Sequence, residues 1–151
     1  MTDRFERFSL AISEISRCWH KLTADEMEKH NLKGSHSVYL MAISRFPEGI
    51  TASQLCELCG KDKADVSRMM SIMEKKGLVT KEGIHQNLYR GVFKLTEAGK
   101  NAAEYVKKRV GLAVEIAGKD LSDENREIFY NALGLIMNNL KALCQEGIPE
   151  V

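Results

Sequence analysis

Proline is almost missing from this chain: Pro47 and Pro149 are the two in 151 residues. With no Ser/Gly-rich or low-complexity tract either, no flexible linker is visible and the chain reads as continuous structure. An apolar content of 44% suffices for one real core and not for two independent ones. Long apolar runs are also missing, none approaching the roughly 20 residues of a membrane span. The start, MTDRFERFSLAISEISR, mixes Asp, Glu and Arg in a way that suits no signal peptide. A cytoplasmic protein without membrane contact is expected. Cys18, Cys56, Cys59 and Cys144 are scattered through helix-like segments, so reduced thiols are expected rather than a disulfide framework. There is no Gly-rich phosphate loop, no G-x-S-x-G turn and no cluster of residues at metal-ligand spacing. These absences argue against an enzyme, and no catalytic residue, metal or cofactor is expected.

What is present is helical periodicity at both ends. Phe5, Phe8, Ile12, Ile15, Trp19 and Leu22 step by alternating threes and fours, the seam of a helix packed along another helix. The same spacing returns at Ala103, Val106, Val110, Ala113 and Ala117. Ser122 then offers an N-cap ahead of Asp123 and Glu124, and Phe129, Ala132, Leu133, Ile136, Leu140 and Leu143 form a third stripe. Any one stripe could fold against the chain's own centre. Together they are more economically satisfied by a second copy in a two-fold dimer, with Phe5, Phe8, Ile12, Ile136, Leu140 and Leu143 in its seam.

The middle has shorter pieces. Thr51 and Gln54 have capping-box spacing at the head of a helix that Gly60 closes, with Ala52, Leu55, Leu58 and Cys59 able to face one way. Asp62 caps the next helix, Lys63 to Lys76, whose buried stripe is Val66, Met69, Met70 and Met73. This is helix-turn-helix spacing, in which the second helix enters the major groove of DNA. Opposite the stripe lie Lys63, Ala64, Ser67, Arg68 and Ser71, small residues that permit close approach and donors that reach bases or phosphates, with Lys75 placed for a phosphate. After Gly77 the pattern turns extended: Leu78 to Glu82, a loop GIHQNLYRG bracketed by Gly83 and Gly91, then Val92 to Leu95. That is a wing whose tip carries His85, Gln86, Asn87, Tyr89 and Arg90, suited to a backbone or a minor groove. Thr96 caps the long helix that follows. Charge agrees: the whole chain is +1, yet residues 61–109 hold 12 basic and 6 acidic residues, leaving 10 basic against 15 acidic elsewhere.

The segments EKKGLVTKE and FKLTEAGK, set about a wing and between long terminal helices, resemble the MarR family of bacterial winged-helix transcription regulators. The likeness covers nearly the whole chain in architecture and Thr51 to Lys100 in specific motif. It implies a mainly α (α+β) fold: residues 1–33 as an N-terminal dimerisation region, 34–100 as a winged helix-turn-helix with a β-hairpin wing, and 101–151 as C-terminal dimerisation helices. It further implies a homodimer on a pseudo-palindromic DNA operator, usually as a repressor. A small aromatic or phenolic effector would bind between the dimerisation and DNA-reading parts and change the spacing of the two recognition helices, ideally roughly 34 Å. Family wings commonly carry Asp-x-Arg; the matching place here reads Asn87, Leu88, Tyr89, with Arg90 one residue later.

Two further readings remain open. Trp19, His20, His36, Tyr39 and Met41 could line an effector pocket near the first two helical regions, or be ordinary core and surface. Cys56-x-x-Cys59 could sense oxidants, or fill space in the core. A winged-helix protein-interaction module without specific DNA binding is the rival to a DNA-reading regulator.

Overall fold

The computed structural model describes residues 3–84 and 87–150, with the side chains of 84–90 outside the description. The element order is α1 (Arg4–Glu28), α2 (Gly34–Ser44), β1 (Ile50–Thr51), α3 (Ala52–Cys59), α4 (Lys63–Lys75), β2 (Val79–Ile84), β3 (Asn87–Leu95), α5 (Glu97–Ala117) and α6 (Asp123–Glu146). It is a mainly helical winged helix-turn-helix with one small antiparallel sheet, strand order β1-β3-β2. Among the described residues, no helix is long and apolar enough to cross a membrane.

The caps read from sequence set the helix starts. The Thr51 hydroxyl accepts from Gln54 N at 3.1 Å while Gln54 Oε1 accepts from Thr51 N at 3.0 Å. Asp62 Oδ1 accepts from Asp65 N at 2.8 Å, Thr96 Oγ1 from Gly99 N at 3.0 Å, and Ser122 Oγ from Asn125 N at 3.2 Å. Each satisfies an amide that the helix itself leaves without a partner. Between α3 and α4, Gly60 closes α3 at φ +63, a left-handed conformation that L side chains rarely adopt. Lys76 is the C-cap of α4 rather than part of its body, and its Nζ donates to Asn31 O at 2.7 Å.

The chain forms two compact units, one running through Gly111 and the other starting at Leu112. The first unit holds the core. Met27 of α1, Tyr39, Leu40 and Ile43 of α2, Ile50 of β1, Leu55 of α3, Val66, Met70 and Met73 of α4 and Val106 of α5 are all fully buried. α2 has no single apolar stripe because it is covered on several sides, burying His36, Ser37, Tyr39, Leu40, Ala42 and Ile43. Ala52 and Leu58 depart from the expected face of α3: both are exposed, because the helix turns Leu55, Cys56 and Cys59 to the core instead. α1 and α5 are tied by Glu26, whose carboxylate pairs with Lys29 at 2.9 Å and Arg109 at 3.3 Å and accepts from Tyr105 Oη at 3.1 Å. Those contacts, Lys29 foremost, hold its pKa at about 2.

The hairpin is longer than the sequence suggests. Gly83 and Gly91 belong to the strands, not to a loop between them, and pairing continues to Ile84 opposite Asn87 after an irregularity between Glu82 and Ile84. Gly91 is buried with a would-be Cβ 2.9 Å from Glu82 O, so a residue that looked like a loop bracket is there for close strand approach.

In the second unit, Arg126 of α6 pairs with Glu115 at 3.0 Å and donates to Gly118 O at 2.9 Å, fixing the turn between the last two helices. No residue of α6 is buried. Its stripe residues Ile136, Leu140 and Leu143 stand exposed, as do Phe5, Phe8 and Ile12 on α1.

Candidate nucleic-acid interface

α4 divides cleanly into two faces. Val66, Met69, Met70 and Met73 recur at i, i+3, i+4 and i+7 and are buried, which turns Lys63, Ala64, Ser67, Arg68, Ser71 and Lys75 to the surface. The structure therefore brings these six sequence-derived candidates onto one exposed helix, beside the wing strands. Of the wing candidates, His85 and Gln86 lie outside the described residues. Asn87, Tyr89 and Arg90 lie on β3, where the backbone is described and the side chains are not.

One residue on this helix escaped the sequence reading. Asp65 sits in the first turn of α4 and shares its carboxylate between two elements. Its Oδ1 pairs with Arg68 Nη2 at 2.6 Å, and its Oδ2 accepts from the Tyr39 hydroxyl of α2 at 2.7 Å. The Tyr39 bond, and next Arg68, hold the Asp65 carboxyl below the usual carboxylate range. Burial, and next the same bond, push the Tyr39 phenol above its ordinary value. The i, i+3 spacing of Asp65 and Arg68 was visible in the sequence. The partner 26 residues away was not.

Tyr39 also forms part of the wall of an open cleft of about 950 Å³ between α1, α2 and α4. Trp19, His20 and His36 line it as well, so four of the five proposed effector-pocket residues converge there. Met41 does not. It stands about 200° around α2 from Tyr39, packed against the core and away from this cleft. Lys33, Lys61, Arg68 and Lys76 make the rim basic, with Asp65 as the carboxylate among them. His36 is buried and its Nδ1 accepts from Lys33 N at 2.9 Å. Burial, with Lys76 and Lys33 nearby, lowers its pKa, so the neutral ring is favoured.

Cys56 and Cys59 are partly buried against the core. Burial, and then Cys56, push the Cys59 thiol up, which disfavours the reactive thiolate that a sensor would need.

This arrangement has known counterparts. A model of the MarR family matches residues 30–84, which span α2, the helix-turn-helix and β2. Over these residues the sequence is similar to the MarR family. The structure as a whole carries the MarR fold. It superposes on a MarR family transcriptional regulator from Listeria monocytogenes, solved with a 26mer DNA, with a TM-score of 0.80 at 21% identity, over 100% of this chain and 99% of that one. A MarR transcriptional regulator from Methanosarcina mazei gives 0.81 at 22% identity, over 95% and 94%. The DNA complex of MepR from S. aureus gives 0.78 at 17% identity, over 87% and 97%. Among curated proteins, none matches the sequence.

Proposed function

We propose that this chain is a dimeric, sequence-specific DNA-binding transcription regulator of MarR type, a cytoplasmic repressor released by a small aromatic or phenolic ligand. The observation that carries the reading is α4, an exposed face of small and basic residues held over a buried Val/Met stripe in a fold shared with MarR proteins solved on DNA. Lys63, Ala64, Ser67, Arg68 and Ser71 would meet bases and phosphates in the major groove, and Lys75, His85, Gln86, Asn87, Tyr89 and Arg90 the backbone or the minor groove. Two such helices, one per protomer, would read the halves of a pseudo-palindrome. The exposed apolar residues Phe5, Phe8, Ile12, Ile136, Leu140 and Leu143 support a homodimer built on α1 and α6.

The cleft supports the effector part of the reading. Its Trp19 and Tyr39 walls suit an aromatic ring, its basic rim suits an acidic substituent, and it borders α4 directly. A ligand there that fits one spacing of the recognition helices better than another would shift DNA affinity by that difference.

The test is fluorescence anisotropy of the purified protein on the DNA flanking its own gene and on scrambled DNA, at several salt concentrations. Tight, sequence-preferring binding with a steep salt slope is expected, weakened by an aromatic acid that fills the cleft. Weak binding indifferent to sequence, on every duplex tried, would point to the interaction-module reading instead.

A further inference from the structure

An acidic side chain on a helix that approaches DNA calls for a reason, because it repels the phosphates its neighbours attract. Two ordinary reasons fall short at Asp65. A carboxylate in the first turn favours the helix dipole, but Asp62 already caps this helix. A surface ion pair adds little to stability, and Arg68 is two-thirds exposed (66%).

Geometry supplies a better reason. Arg68 has five N–H donors in one plane, and reading a guanine takes two of them presented together. A free arginine side chain must give up rotamer entropy to do that. Here Asp65 Oδ1 already holds Nη2, which restrains the guanidinium while leaving its other donors unclaimed by Asp65. Asp65 is restrained in its turn. Its second oxygen is held by the hydroxyl of Tyr39, a side chain only 1% exposed and locked in the core through α2. The Nη2 end of Arg68 is thus tied, through Asp65, to a buried residue of another helix.

We propose that Asp65 is a positioning residue for DNA recognition, holding Arg68 in a base-reading orientation while Tyr39 anchors Asp65. The inference rests on the reading of α4 as the DNA-contacting helix. Its consequence is a division of labour: Arg68 supplies the contact, whereas Asp65 and Tyr39 supply discrimination, since an arginine released from Asp65 would reach any phosphate.

The experiment uses the full-length protein and a duplex that the wild type selects from a randomised pool, with a scrambled duplex as reference. Affinities for both are measured for Asp65→Asn, Tyr39→Phe, Arg68→Ala and Asp65→Asn/Arg68→Ala, after circular dichroism shows that each variant is folded. Asp65→Asn should lower the ratio of selected to scrambled affinity roughly ten-fold, the scale of one good base contact. Affinity for scrambled DNA should hold or rise as a negative charge is lost. Tyr39→Phe should shift the ratio in the same direction by a smaller factor, and it carries the test if Asp65→Asn does not fold. In the double variant the ratio should be no lower than in Arg68→Ala, because Asp65 acts through Arg68. Equal changes on both duplexes, or additive effects in the double variant, would overturn the positioning role and leave DNA reading intact. If the wild type selects no sequence at all, the DNA-reading proposal fails and this inference with it.

Discussion

Gly99 and His36 show how much single positions carry. A Cβ at Gly99 would collide with the Leu78 carbonyl oxygen, a backbone atom that cannot swing aside. Gly99→Ala should therefore cost about 1 to 3 kcal/mol as an overpacked site, read as a lower urea midpoint with an unchanged slope. His36 predicts a pH dependence. Its folded pKa lies below the ordinary 6.5, so the unfolded chain takes up a proton that the folded chain resists. Stability from this residue is present above about pH 6.5 and falls as the pH drops below it towards the folded value. Urea titrations between pH 7.5 and 5 should show that decline, and His36→Gln should flatten it. Neither effect was legible in the sequence. Gly99 sits in LTEAGK, where it looks like any helix residue, and the burial of His36 depends on α1, α2 and α4 meeting.

At the scale of elements, local chemistry was legible and tertiary pairing was not. Thr51 with Gln54, Asp62, Thr96 and Ser122 mark helix starts because capping acts over three residues, within reach of a sequence pattern. β1 is two residues long and exists through its pairing with β3, so no periodicity could announce it. The hairpin strands overran their expected ends because glycine marks both loops and close strand approach. The proposed recognition surface lay between these extremes: the exposed residues of α4 followed from helical spacing, while Asp65 joined them through a contact with α2. Arg68→Ala should lower affinity for a selected operator by about 1 to 3 kcal/mol and relax preference at one base pair. Lys75→Ala should weaken all sequences alike and reduce the salt slope by about one unit. Anisotropy on operator and scrambled DNA separates the two.

For the whole molecule, an apolar stripe leaves its partner unstated. The same heptad-like spacing serves a core helix and an interface helix, and only placement tells them apart. Here Phe5 is 74% exposed, and Phe8, Ile12, Ile136, Leu140 and Leu143 are exposed with it, which supports the proposed interface on α1 and α6. Placing a carboxylate in the proposed seam, as in Ile12→Asp or Ile136→Asp, should yield monomers. Sedimentation at micromolar concentration would show the change in mass, with operator binding lost in parallel because one protomer offers one recognition helix. An unchanged mass for both variants would move the dimer to another surface.

The sheet has a mechanical consequence. β3 is the middle strand, bonded on one side to β2 and on the other to β1, whose Thr51 caps α3. On the proposed reading, in which the wing grips a duplex, it is not a free flap: load on it would pass along β3 to the two-residue splice at Ile50 and Thr51, and from there into the head of the helix-turn-helix. Wing and recognition helix should tilt as one rigid piece, and the amides of that splice would register the strain of DNA binding from the far side of the sheet.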